Sequence, residues 1–159
     1  MLYRLIVETV MLDPLSEKPI LVLKTDSGEK ILPIWIGPAE AQAIALELQD
    51  IHAPRPMTHD LICNLIKGFS GKLVRVDICD IKDNTFYAEM VVKSLHSEIR
   101  IDARPSDAIA VAIRMKAPIF VESHVLDAAS QSAETSIVDS SLSKWLESLR
   151  PEDFGKYKM

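Results

Sequence analysis

One local pattern occurs twice in this chain, and it constrains the fold more than any other feature. Leu32-Pro-Ile-Trp-Ile-Gly-Pro-Ala-Glu-Ala-Gln-Ala-Ile-Ala-Leu-Glu-Leu48 is a short apolar strand, a Gly-Pro corner and an alanine-rich helix. Pro38 suits a first helical position, where its missing N–H costs nothing. Glu40 follows two residues later, at the positive end of the helix dipole. Ile99-Arg-Ile-Asp-Ala-Arg-Pro-Ser-Asp-Ala-Ile-Ala-Val-Ala-Ile113 repeats the strand, the proline, the acid and the Ala/Ile helix, with Asp107 opposite Glu40. Two such runs point to an internally duplicated unit.

Around them the chain reads as alternating strands. Tyr3 to Leu12 alternates, with Tyr3, Leu5, Val7 and Met11 on one side. Ile20–Thr25 and Lys30–Ile36 flank Asp26-Ser-Gly-Glu29, a tight hairpin signal. In the second half Val74, Val76 and Ile78 alternate, then Phe86, Ala88, Met90 and Val92, then 98–102. The predicted unit is therefore β-β-β-α, twice. The expected class is α+β, with a mostly antiparallel curved sheet and helices packed on it. Between the units, Ala53-Pro-Arg-Pro56 cannot be helical. Thr58 is a candidate N-cap for a helix from Leu61 to about Phe69. Ile119–Val121 is a candidate extra strand. The expected domain covers 1–129. Residues 130–159 read as a flexible link, a short amphipathic helix carrying Leu142, Trp145, Leu146 and Leu149, and a polar tail. Trp35, in a strand leading to a corner, is expected in the core.

With 159 residues and 48% hydrophobic content, the chain can bury a core as one domain. No apolar run approaches the ~20 residues of a spanning helix. The first residues lack the pattern of a secretory leader, so the cytoplasm is the expected compartment. Cys63 and Cys79 match neither a disulfide framework nor a zinc spacing, and are expected as reduced thiols. The net charge of −5 argues against a general basic groove for nucleic acid. Arg4, Lys67, Lys72, Arg75, Lys93 and Arg100 could still form a local patch.

No P-loop, dinucleotide fingerprint, H-E-x-x-H or nucleophile elbow is present. The candidate chemistry sits at helix starts. Arg55-Pro-Met-Thr-His-Asp60 and Arg104-Pro-Ser-Asp107 both place Arg-Pro before an acid that opens a helix. Glu40 and Asp107 could hold a divalent cation, Mg or Mn. His59 could move a proton, with Asp60 beside it, and Arg55 and Arg104 could clamp phosphate oxygens. The same acids could equally serve as helix-start residues on dipole grounds alone.

At these motifs the chain resembles the bifunctional nuclease family. Leu32-Pro-Ile-Trp-Ile-Gly37 with Glu40-Ala41, Arg55 to Asp60, and Arg104-Pro-Ser-Asp-Ala108 carry the likeness, which extends from about Tyr3 to Leu126. The resemblance implies a compact α+β domain that forms homo-oligomers and hydrolyses DNA and RNA. It places Glu40, Arg55, His59, Asp60, Arg104 and Asp107 at motif positions. A rival reading is a non-catalytic oligomeric scaffold or regulator, binding a small anionic ligand at paired helix N-termini.

Overall fold

The computed structural model describes residues 1–135, with side chains over 1–130. The amphipathic segment at 142–149 lies outside the described residues. Chain order begins with β1 (Leu2–Leu12), β2 (Pro19–Thr25), β3 (Ile31–Trp35), α1 (Pro38–Leu48) and α2 (Thr58–Gly68). It continues with β4 (Lys72–Lys82), β5 (Thr85–Lys93), β6 (Glu98–Ala103), α3 (Pro105–Met115), β7 (Ile119–Glu122) and α4 (Ser123–Thr135). Three strands followed by a helix with proline in its first turn thus occur twice. The two runs lead into different elements, α2 in one case and β7 with α4 in the other. Since α4 reaches Thr135, the start of the expected link is helical.

All strands join one seven-stranded sheet in the order β3-β2-β1-β7-β4-β5-β6. Each meander is antiparallel and held by tight turns. Gly28 supplies a φ of +77° in the β2–β3 hairpin. Asp83 and Asn84, at φ 49° and 60°, close Lys82 against Thr85 in the β4–β5 hairpin. Both central residues left-handed is the geometry that matches strand twist. The short strand β7 unites the halves, antiparallel to β1 and parallel to β4.

Register breaks occur once in β1 and twice in β4, and the first in each strand alters the faces read from alternation. In β1 the pairing slips between Val7 and Thr9, so the bulge turns Met11 to the side away from the main core. Val10 takes its place, packing beside Leu5 with Tyr3 and Val7. In β4 a slip between Leu73 and Arg75 sends Leu73, rather than Val74, into the core with Val76 and Ile78. Strict period-two reading fails wherever one extra residue enters a strand.

The main core lies between one sheet face and the helices. Helix α3 is buried nearly all round, with Ala108, Ile109, Ala110, Val111 and Ala112 at 0% exposure. It packs on β4 and β5 and is flanked by α1 and α2. Its alanines permit that closeness, because a methyl group leaves room for a neighbouring helix on every side. Trp35 is not in this core. It lies 48% exposed at the end of the edge strand β3, its Nε1 donating to Asp13 Oδ2 at 3.4 Å. Cys63 and Cys79 are free thiols, and burial pushes both upward from their ordinary value. Among the described residues no helix is long and apolar enough to cross a membrane.

Candidate active site at three helix starts

Helices α1, α2 and α3 begin on N-cap residues Gly37, Met57 and Arg104. Counting from each cap, Glu40, Asp60 and Asp107 all occupy the third helical position. An acid there is well placed to accept a hydrogen bond from the N-cap N–H. Only Asp60 does so, taking the Met57 N–H at 2.9 Å. Thr58 is therefore the first helical residue and not the cap. Glu40 and Asp107 make no such bond among the described residues. Their carboxylates are turned toward another element instead.

What they reach is Arg104. Its Nε donates to Asp107 Oδ2 at 2.6 Å, and its Nη2 donates to Glu40 Oε1 at 2.6 Å. Asp107 uses its other oxygen, Oδ1, on His59 Nε2 at 2.9 Å. A continuous chain results: Glu40 of α1, the Arg104 cap of α3, Asp107 of α3 and His59 of α2. Side-chain exposure rises along it from 9% at His59 to 27% at Asp107 and 67% at Arg104, while Glu40 stays at 14%. Charged hydrogen bonds of this kind are shorter and stronger than neutral ones.

The electrostatics follow from the packing. Burial raises the Asp107 carboxyl, but the hydrogen bonds from Arg104 and His59 outweigh it, and the group is held below its ordinary value. Arg104 is pushed up by Asp107 and then by Glu40. With Asp107 ionised, the tautomer carrying hydrogen on Nε2 is the one that pairs with it. Nδ1 is then left as a proton acceptor, and it has no partner among the described residues.

Asp60 and Arg55 stand apart from this chain. The Met57 N–H chiefly, and Arg114 after opposing burial, hold the Asp60 carboxyl low. Arg114 donates from Nε to Asp60 Oδ1 at 2.8 Å, from Nη1 to the Ala110 carbonyl at 2.8 Å and from Nη2 to the Ala43 carbonyl at 3.0 Å. Asp60 is thus committed to holding helices together. Arg55 is exposed on the α1–α2 connection and makes no hydrogen bond or ion pair among the described residues. Sequence reasoning passed over Arg114, whose only signal was an arginine in the last turn of an alanine-rich helix.

The donors as placed do not fit a divalent cation. Glu40 and Asp107 are brought together, but the Arg104 guanidinium fills the place between them. Among the described residues no three His, Cys, Asp or Glu side chains gather as a metal site. The suggested basic patch is also weakened. Arg75 and Arg100 share the buried Asp77, and Arg100 also bonds Glu89 at 2.9 Å.

The architecture is that of a small α+β domain whose helix starts assemble a His–Asp–Arg–Glu chain. The bifunctional nuclease domain matches residues 21–134, and the chain belongs to that family. It is 40% identical over 150 residues to an uncharacterized protein of Mycobacterium tuberculosis, covering 87% of this chain and 90% of that one. It is 32% identical over 112 residues to bifunctional nuclease 2 of Oryza sativa subsp. japonica, covering 67% of this chain and 34% of the rice protein. Bifunctional nuclease 2 of Arabidopsis thaliana is 26% identical over 111 residues, with 66% and 33% covered. The chain therefore spans about a third of these plant proteins.

Proposed function

We propose that this domain is a nuclease hydrolysing phosphodiester bonds of DNA and RNA, with the helix-start chain as its centre. The observation that carries this reading is the diversion of Glu40 and Asp107 from capping to Arg104 and His59. In this reading His59 Nδ1 takes the proton of the attacking water as its oxygen bonds to phosphorus. The bond from phosphorus to the leaving oxygen then breaks, and that oxygen takes a proton from solvent water while the His59 imidazolium returns its own to solvent. Asp107 holds the imidazole by Nε2, and its charge stabilises the imidazolium that forms. Arg104 offers its remaining N–H groups to the phosphate oxygens, and Glu40 fixes the guanidinium for that task. Arg55, exposed on the α1–α2 connection and apart from the helix-start chain, is read as a phosphate contact farther along the nucleic acid. Because Arg104 fills the place between the acids, the chemistry is read here as independent of bound Mg or Mn.

The test is cleavage of a fluorescent single-stranded DNA and a matching RNA, with and without EDTA. Wild type is compared with His59→Asn, Asp107→Asn and Arg104→Lys proteins purified in parallel. The expected result is cleavage by wild type in EDTA, with a loss on the order of 10²–10⁴-fold in His59→Asn. Equal cleavage by all the folded proteins would place the activity elsewhere or in a contaminant. Abolition by EDTA alone would reinstate a metal at Glu40 and Asp107.

One observation favours the second reading, an anion-binding regulator without turnover. Both acids already bond Arg104, and the net negative charge of the molecule disfavours the basic surface that a sequence-blind nuclease brings. Saturable binding of a small anion, with no cleavage from any preparation, would select it. Self-association is part of either reading. Its support is the pair of open edges β3 and β6 and an exposed apolar row on α2, Met57, Leu61, Leu65 and Phe69.

A further inference from the structure

We propose that Gly37 is a positioning residue of this site: its missing side chain leaves the space in which the Glu40 carboxylate turns back toward Arg104. The backbone itself does not call for glycine. Gly37 lies at φ −73° and ψ 158°, an extended conformation open to any residue. The demand is for volume. The three nearest atoms to a Cβ built at Gly37 all belong to Glu40: Oε2 in hard collision, Cδ at 3.3 Å and Oε1 at 3.8 Å.

The other proline-started helix shows why. At α3 the cap is Arg104, which carries a Cβ, and the acid three residues on is Asp107, one methylene shorter. At α1 the cap is glycine and the acid is glutamate. In the position Glu40 takes here, its Oε2 lies where a cap side chain would begin. The acid turns back because its partner is on another helix, Oε1 accepting from Arg104 Nη2 at 2.6 Å.

Adding a methyl group at Gly37 leaves α1 unstrained and displaces the carboxylate. Oε1, which holds Arg104 Nη2, must move with the Oε2 that collides, so the anchor of Arg104 on α1 is displaced while Asp107 still holds it. Gly37 acts through Glu40 on Arg104 and does not touch the reacting atoms. Its consequence for turnover rests on the nuclease reading above, whereas its effect on the chain of side chains does not.

The experiment uses the full ¹⁵N-labelled chain as wild type, Gly37→Ala, Glu40→Ala and the double variant. The Arg104 Nε–H and His59 ring nitrogen signals are tracked. Gly37→Ala and Glu40→Ala are expected to move the Arg104 signal in the same direction. Adding Gly37→Ala to Glu40→Ala is expected to move it no further, the non-additivity of a shared mechanism. An Arg104 signal left in place by Gly37→Ala would overturn the proposal. So would an equal added shift in both backgrounds, which marks a general effect on the helix start. Should Gly37→Ala fail to fold, the double variant decides. Melting at the temperature of Glu40→Ala supports the collision, and failure to fold overturns it. Hydrolysis is measured on the same four proteins, with Gly37→Ala expected to fall to the Glu40→Ala level, on the order of 10²-fold below wild type. If wild type shows no hydrolysis the nuclease reading falls, while the Arg104 signal still decides the role of Gly37.

Discussion

Arg114 carries more structural weight than any other polar side chain near the site. Its guanidinium is 9% exposed and joins three helices, through Asp60 of α2, the Ala43 carbonyl of α1 and the Ala110 carbonyl of its own α3. Removing it leaves two carbonyls and a carboxylate without that donor. Arg114→Met is expected to lower unfolding free energy by about 2–4 kcal/mol, read by urea denaturation. Arg114→Lys should recover little, because a single ammonium cannot span three acceptors in a plane. Two of the acids at the helix starts, Asp60 and Asp107, contribute to the response to pH. Asp60 and Asp107 are held below the ordinary carboxylate value of 3.8 in the folded chain. Between folded and unfolded values the unfolded chain binds more protons, so stability rises with pH through that window. Their contribution is full above about pH 4 and lost as pH falls through the folded values. Asp60→Asn and Asp107→Asn proteins should therefore show a shallower fall in stability as pH drops below about 4, measured by denaturant melts across the acid range.

At the scale of elements, the strands, the two alanine-rich helices and the class of fold were legible because their signals are local. Alternation, a Gly-bearing hairpin and proline at a first helical position each act within a few residues. The exceptions are equally physical. The bulge in β1 exchanged Met11 for Val10, and the slip in β4 exchanged Val74 for Leu73. A single inserted residue reverses the parity of the positions after it until another intervenes, and nothing in composition announces it. Trp35 departs from expectation for a different reason. Its strand is an edge, and edge position is a property of the sheet order. The alanines of α3 were visible as a pattern, but their purpose appears only in packing. Ala110 touches neighbours on all sides at 0% exposure. Ala110→Leu is expected to cost about 1–3 kcal/mol or more by overpacking, read as a lowered urea midpoint with an unchanged slope.

For the molecule as a whole, β7 is the joint. It is four residues long, yet it pairs with both meanders and makes one sheet of them. The apolar row on α2 faces away from that sheet, with Leu61 and Leu65 about half exposed and Phe69 82% exposed. Leu61→Glu with Leu65→Glu is expected to convert an assembled species to monomer at micromolar concentration, measured by light scattering after size exclusion. A monomeric wild type would rule self-association out. The candidate site divides along the same line. Sequence alone was enough to single out Glu40, His59, Arg104 and Asp107, because proline, acid and helix onset are encoded within four or five residues. It also determined the fold class, through periodicity. Only the tertiary structure decided that Arg104 reaches across to Glu40, that Asp107 serves His59, and that Asp60 belongs to Arg114. Those pairings join residues as far as 64 positions apart in the chain. They depend on how three helices are set side by side on one sheet, and no local propensity encodes that distance.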